Sequence, residues 1–437
     1  MTKVWLLLLI QIAIIPVVVL LLRKFKFLNF ASSLVLTIYC VTFPISGIAH
    51  FLTTSSLFRG YFDLVSFAHT NLPFETALLS LITEICLVIG ILLSGRFSNT
   101  NRDLKISNHR VSRKQTFVLL GIIPLSIYAS MIIRQFLDTY NIKRVLFLDG
   151  GLARYYFIAI WIAWPIVIFS TYLLYSRRFV GKSVRQFVLI SVTGIMLFTA
   201  LRWTGSRLLP LLFLTVVILN APKLSRKIRG TIVLLSPIFF GVYIYATTLN
   251  RIGSFEYGKN TFNIGGFFDW QVGRFSILGA TLKINSDFGV LQGSTIVGSI
   301  TQSISGVARL IGITVFNDVG SYLSVSQEFG VVVFSDPNNR YLAPGLIVEM
   351  YRNFGLMGLI LFSLLTPMIT NWLYAKSFRE YNILSNLLFG YFTIAFVFIV
   401  FLSSSESLIA YFFYYPMPLI LIILINNVQS KKRSRHE

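Results

Sequence analysis

Two short stretches carry residue types that could do chemistry beside a bilayer. The first, "LRWTGSRLLPLL" (201–212), sets Arg202 and Arg207 on either side of a Gly-Ser pair, between strongly apolar runs. A planar guanidinium donates in a fork that matches phosphate or carboxylate oxygens two at a time. The second, "RYLAPGLIVEMYRNFGLMG" (340–358), carries the carboxylate of Glu349 into another apolar run. A carboxylate at membrane depth is costly, which makes it a functional candidate and, in a partly desolvated site, a general-base candidate. Each stretch also has a plainer explanation. The arginines can snorkel to ordinary headgroups, and Glu349 can pair with Arg352, three residues on along one helix.

Weaker candidates follow from side of the membrane alone. Arg251, Arg274 and Arg340 lie in one long polar segment, and Glu406 ends "SSSES". Glu84 sits near the centre of an apolar run, where an interhelical polar contact or relay is expected. The four histidines (His50, His69, His109, His436) all lie outside the long segment, and neither HExxH, Walker A, GxSxG nor an acidic cluster occurs. These absences argue against a zinc protease, an ATPase and a Ser hydrolase. The two cysteines, Cys40 and Cys86, stand inside apolar runs and imply no disulfide framework or metal site.

The elements that position these groups are membrane helices. Of the 437 residues 55% are hydrophobic and only 12% charged. Apolar runs of about 20 residues recur, the length a helix needs to cross the hydrocarbon core. The net charge of +22 is not a nucleic-acid footprint. More than half of the 38 basic residues fall in six short clusters between apolar runs: 23–26, 96–114, 177–185, 223–229, 376–379 and 431–435. That is the positive-inside bias, and it marks those loops as cytoplasmic and in contact with anionic lipid.

The expected architecture is an all-α polytopic membrane protein with about 11 transmembrane helices. Spans are expected near 4–22, 30–48, 75–94, 116–133, 155–175, 187–201, 208–221, 231–248, 355–375, 382–402 and 407–425. All six basic clusters then share one side if the N-terminus is outside and the C-terminus inside. The first apolar run, without a small-residue cleavage site, reads as a retained span. The chain divides into an eight-span bundle (1–248), a large outer loop (249–354), and the C-terminal helices with a basic tail (355–437). Moderately apolar pieces of that loop, such as "VVVF" and "VARLIGITVF", are expected on the membrane surface or in a re-entrant element.

Residues 187–221 cannot be one helix, because 35 residues would run roughly 50 Å. The chain must turn outside, at "WTGS" and Pro210, with arms of about 14–15 residues that fall short of a full crossing. That places Arg202 and Arg207 at the depth of lipid phosphate. In the second stretch, Pro344 can open a helix. Glu349 then stands near its outer end, and Gly355 and Gly358 permit close approach of a neighbouring helix.

"TGSR" (204–207) and "APGLIVEMYRNFGLMG" (343–358), with this topology, resemble the Wzy-type O-antigen polymerases, the oligosaccharide repeat unit polymerases of bacterial inner membranes. Those proteins carry an arginine motif like this one and a later helix of the form E-x-Y-x-N-F-G-x-x-G. The resemblance implies a periplasmic outer loop, a GT-C-like fold, and polymerisation of undecaprenyl-pyrophosphate-linked oligosaccharides without metal or cofactor. Arg207 and Glu349 would be catalytic. Arg202, Arg251, Arg274, Arg340, Tyr351 and Asn353 would bind substrate. Partners would be the lipid-linked oligosaccharide, membrane lipid, and chain-length regulator and flippase proteins. Three other classes compete, of which a structural or scaffolding membrane protein would not need arginines at headgroup depth. An O-antigen ligase is expected to carry a histidine in the large outer loop, and none is there. A lipid-linked oligosaccharide flippase would concentrate charge in a central cavity rather than keep so long a loop.

Overall fold

A computed structural model describes residues 2–24, 27–53, 72–95, 153–175, 183–201, 208–220, 273–310, 323–334, 344–379 and 383–433. Among the described residues the chain is all-helical, with no strand. The α-helices are α1 (Thr2–Lys24), α2 (Phe30–Cys40), α3 (Ser46–Thr53), α4 (Leu72–Leu93), α5 (Ala153–Tyr175), α6 (Ser183–Leu201) and α7 (Leu208–Asn220). They continue with α8 (Phe275–Phe288), α9 (Ser294–Leu310), α10 (Val325–Phe334), α11 (Leu346–Arg379), α12 (Ile383–Leu402) and α13 (Met417–Arg433).

Among the described residues six stretches of helix are long and apolar enough to cross a membrane: Lys3–Lys24, Phe30–Phe51, Leu72–Leu93, Leu346–Phe378, Ile383–Leu402 and Ser405–Ile425. Helices α5 and α6 hold shorter apolar stretches, Ala163–Leu174 and Val184–Phe198. The protein is therefore a polytopic membrane protein. The expected spans at 116–133 and 231–248 lie outside the described residues. Helix also occupies both arms of the expected 187–221 turn, but unequally, with 19 residues in α6 and 13 in α7. Pro210 falls inside the first turn of α7 rather than in the connection, a place where its missing N–H costs nothing.

The chain forms two compact units. One comprises Met1–Arg102, Phe255–Ala375 and Phe396–Ala410. Its interior is stitched by polar contacts between spans. Tyr39 donates to the Ser80 carbonyl at 2.7 Å, and Gln11 donates to the Ala77 carbonyl at 2.9 Å. Asn371 on α11 donates to Ser94 at 2.6 Å and accepts from Ser32 at 2.9 Å. Gly90 lets α4 meet α11, since a side chain there would run into the Leu364 carbonyl and the Pro367 ring. Such contacts matter in lipid, where the hydrophobic effect does not hold helices together.

Pro44 shapes the second span. Lacking an N–H, it cannot sit in a regular ladder, and the helix takes a π turn at Val41–Ile45. The Thr42 carbonyl then accepts the backbone N–H of Arg274 at 2.7 Å, which fixes the start of α8.

The other unit comprises Asp103–Ser254, Lys376–Ala395 and Tyr411–Glu437. There α5, α6 and α7 pack on one another. Thr193 on α6 donates to Ser170 on α5 at 2.7 Å. The Trp161 and Trp164 indoles donate to the carbonyls of Tyr414 and Tyr415 at 2.8 and 2.5 Å. Trp164 also meets the Tyr391 ring edge-on.

Candidate functional site

The segment 249–354, the expected outer loop, is largely helical where it is described. It supplies α8, α9, α10 and the start of α11. These elements surround the second sequence stretch, and α11 sets its geometry. Pro344 and Gly345 lead into α11, and Gly345 has a φ of +85° that favours glycine. Its N–H donates to the Ser403 carbonyl at 2.6 Å, and a Cβ there would stand 3.0 Å from the carbonyls of Val400 and Phe401. The start of α11 is thereby held against the end of α12.

Nine residues on, α11 breaks. Gly355 adopts φ 61° and ψ −149°, a conformation essentially closed to other residues. The carbonyls of Arg352 and Asn353 accept from the N–H groups of Leu291 and Gln292 at 3.3 and 2.8 Å, in the turn between α8 and α9. The sequence reading of the two glycines needs correction here. Gly358 makes room for the Met350 carbonyl of its own helix across the break, rather than for a neighbouring helix.

Between cap and break stands Glu349, with no solvent exposure. Its Oε2 accepts from the Ser405 N–H at 2.8 Å, and its Oε1 accepts from the Ser405 hydroxyl at 2.5 Å. Thr295 on α9 offers a longer third donor at 3.4 Å. Asn353, one turn along α11, donates to Thr295 at 2.7 Å and to the Glu349 carbonyl at 2.8 Å. A chain of donors thus runs from Asn353 through Thr295 to the carboxylate.

The plainer alternative, a Glu349–Arg352 pair, does not form. Three positions apart, the two side chains follow different neighbours. Arg352 donates to Glu328 on α10 through Nε at 2.8 Å and Nη2 at 2.6 Å, a buried ion pair. Its Nη1 donates to Asn285 at 2.6 Å and to the Gly289 carbonyl at 2.5 Å. Arg352 therefore clamps α8, α10 and the turn after α8. Among the described residues, no ion pair reaches Glu349.

Glu406 accepts from the backbone N–H of Ser326 at 3.0 Å and from its hydroxyl, while its own carbonyl accepts from Ser303 at 2.9 Å. It fastens α9 and α10 to the short turn Ser405–Ser407 that holds Glu349. Three buried oxygens around this cluster have no hydrogen-bond partner among the described residues: Asn353 Oδ1, Glu328 Oε2 and Ser299 Oγ. The cluster is therefore rich in hydroxyl, amide and carboxylate groups and has spare capacity to accept hydrogen bonds.

The other named residues divide plainly. Arg274 is buried at the head of α8, where Nη1 donates to the Gly273 carbonyl and Nη2 to the Leu402 carbonyl at 2.8 and 3.0 Å. That placement makes it a support for the α8–α12 junction. Tyr351 is buried on α11, its carbonyl accepting from Asn285 at 2.9 Å. Glu84 is buried in α4, and neither of its carboxylate oxygens has a hydrogen-bond partner among the described residues. Arg202, Arg207, Arg251 and Arg340 lie outside the described residues.

Sequence reasoning passed over Glu328, Asn285, Thr295 and Ser405. For Glu328 a signal existed: an arginine inside an apolar helix requires a counter-charge, and Glu328 is one of the few carboxylates in the same long segment. Comparisons with family models, with curated proteins and with solved structures find no match to this chain.

Proposed function

We propose that the protein polymerises undecaprenyl-pyrophosphate-linked oligosaccharide repeat units at the outer face of a bacterial inner membrane. The observation that carries this reading is the state of Glu349, a fully buried carboxylate held, among the described residues, by hydroxyl and amide donors and by no cation. An ion-paired glutamate would be a structural strut. One held by neutral donors keeps its acceptor capacity for an incoming hydroxyl.

In the proposed reaction an acceptor sugar hydroxyl replaces Thr295, the longest of the three donors to Glu349. The hydroxyl oxygen bonds to the anomeric carbon of the donor glycan, and its proton passes to Glu349. The bond from that carbon to the pyrophosphate oxygen breaks, and undecaprenyl pyrophosphate leaves with the electron pair. Arg207, with Arg202, stabilises the departing charge, which fixed guanidinium groups do well in a water-poor site. Eleven spans, an outside N-terminus and a cytoplasmic C-terminus belong to the same proposal, as do contacts with flippase and chain-length regulator proteins.

The test is Glu349→Gln, which keeps shape and polarity but removes the proton acceptor. Chain extension should fall by roughly 10²–10⁴, the usual worth of a positioned base. Adding Arg352→Gln should not restore it, because the two residues are not partners. Surface glycan should stay at one repeat unit in both variants, and a normal ladder in either would remove Glu349 from catalysis. A variant lacking flippase activity would instead leave no outward-facing substrate at all.

A further inference from the structure

Helix α9 is built inside out. Thr295 and Ser299, one turn apart, are buried at 1% and 0% exposure, and Gln302 and Ser303 continue the same inward face. The opposite face carries Val297, Ile300 and Ile304, exposed at 49%, 38% and 42%. A helix on a water-soluble protein turns its apolar stripe inward and its polar residues out. Reversal of both faces together means that the medium outside α9 is less polar than the protein inside it. The helix carries no charged residue before Arg309, and Thr301, on the outward face, turns its hydroxyl back to the Val297 carbonyl at 2.8 Å, so it needs no water partner. At 17 residues it spans roughly 25 Å, short of a full crossing.

The outward face of α9 is continuous with that of a membrane-spanning helix. At the end of α8, Phe288 is 72% exposed, and in the turn that follows Val290 stands 3.5 Å from where a Cβ on Gly355 would be. Phe354 stands 3.3 Å from where a Cβ on Gly293 would be, and Met357, on the next stretch of α11, is 64% exposed. The apolar surface therefore runs from the spanning part of α11, across the Gly355 break, onto the turn and along α9. On α8, Lys283 and Asp287 are exposed beside this surface, as suits side chains that reach for headgroups and water.

We infer that α9 and the turn before it are embedded in lipid, in the leaflet at which α11 begins, with Val297, Ile300 and Ile304 against acyl chains. The occupant of this face is lipid hydrocarbon rather than water or a second copy of the chain. Its inward face simultaneously lines the Glu349 cluster through Thr295 and Ser299. Among the described residues α9 then stands between that polar cluster and the bilayer, the side from which a lipid-borne ligand would approach it.

The inference is tested on the full-length chain in liposomes of phosphatidylethanolamine and phosphatidylglycerol. Cys40 and Cys86 are replaced by Ala, and nitroxide labels are placed by Val297→Cys, Ile300→Cys and Ile304→Cys, with Asp287→Cys as the control. Collision with oxygen reports acyl chains, and collision with a water-soluble nickel chelate reports water. At each of the three α9 positions oxygen access should exceed nickel access by several-fold, with the order reversed at Asp287. Nickel access at the α9 positions equal to that at Asp287 would place the face in water and overturn the inference. Low access to both reagents at all three positions would place a second copy there and overturn it equally. Three labels report one face, so a position whose variant fails to elute as a single peak is covered by the other two. The readout involves no glycan transfer and stands apart from the polymerase reading.

Discussion

Arg352 and Glu328 meet with both side chains buried, so each depends on the other. Removing one charge leaves its partner uncompensated, at a cost of about 3–5 kcal/mol, whereas replacing both with apolar groups removes the desolvation penalty as well. Arg352→Ala should therefore lower the thermal midpoint in detergent markedly, and Arg352→Leu with Glu328→Leu should recover most of the loss. A double variant no better than the single would show that the contacts to Asn285 and Gly289, not the charge pair, hold this corner. For the arginine turn, Arg207→Ala should abolish chain extension while the protein still reaches the membrane. Arg207→Lys should rescue it poorly, because a point charge lacks the bidentate fork. Full extension in Arg207→Ala would reduce that residue to a headgroup anchor. At this scale the sequence marks the carboxylate but not its company. Glu349 stands out because a charge in an apolar run is expensive. Its partners Ser405 and Thr295 are 56 and 54 positions away, and ordinary hydroxyl residues announce nothing. The helical spacing of Glu349 and Arg352 suggested a pair, but local spacing gives only a few tenths of a kcal/mol. A buried carboxylate on α10 outcompetes it.

The break in α11 is the element on which the site turns. It frees two carbonyls for the α8–α9 turn, and it places Glu349 and Arg352 on a short half-helix above the spanning part. The conformation at Gly355, rather than crowding, is what requires glycine, since a Cβ would meet only Val290 at ordinary contact distance. Gly355→Ala should accordingly cost about 1–3 kcal/mol in backbone strain. If the helix straightens instead, Leu291 and Gln292 lose their acceptors and the turn detaches. Either course lowers the thermal midpoint, and an unchanged midpoint would show that the break is not built into the fold. Long spans such as α1, α4 and α12 were legible because twenty apolar residues admit few other structures in a membrane protein. The helices within 249–354 were not. Their polar faces serve a polar site and their apolar faces point outward, so their composition resembles that of a surface loop. In "STIVGSITQSISGVARL" alternate polarity recurs at helical spacing, and only the direction of each face distinguishes a membrane element from an aqueous one.

Topology ties the site to one side of the membrane, and parity of spans decides it. Near the N-terminus, three membrane-length stretches (Lys3–Lys24, Phe30–Phe51 and Leu72–Leu93) lead from Thr2 to the basic cluster at 96–114. Near the C-terminus, three more (Leu346–Phe378, Ile383–Leu402 and Ser405–Ile425) lead from the Glu349 cluster to the basic tail. If both basic segments are cytoplasmic, as the positive-inside rule requires, an odd number of crossings separates each from the opposite side. Five expected crossings lie between 96–114 and the start of 249–354, and two of them, 116–133 and 231–248, fall outside the described residues. Losing one of the two would put residue 300 and residue 105 on the same side. Losing both would keep residue 300 outside but carry the cluster 177–185 outside with it, against its four basic residues. Reporter fusions at 105, 180, 300 and the C-terminus separate these cases. The expected pattern is cytoplasm, cytoplasm, periplasm, cytoplasm. A cytoplasmic signal at 300 would put Glu349 on the side where lipid-linked glycans are assembled rather than polymerised, and the proposed function would fall with it. Periplasmic signals at both 180 and 300 would leave the Glu349 cluster outside but require the bundle 103–254 to be redrawn with two fewer crossings.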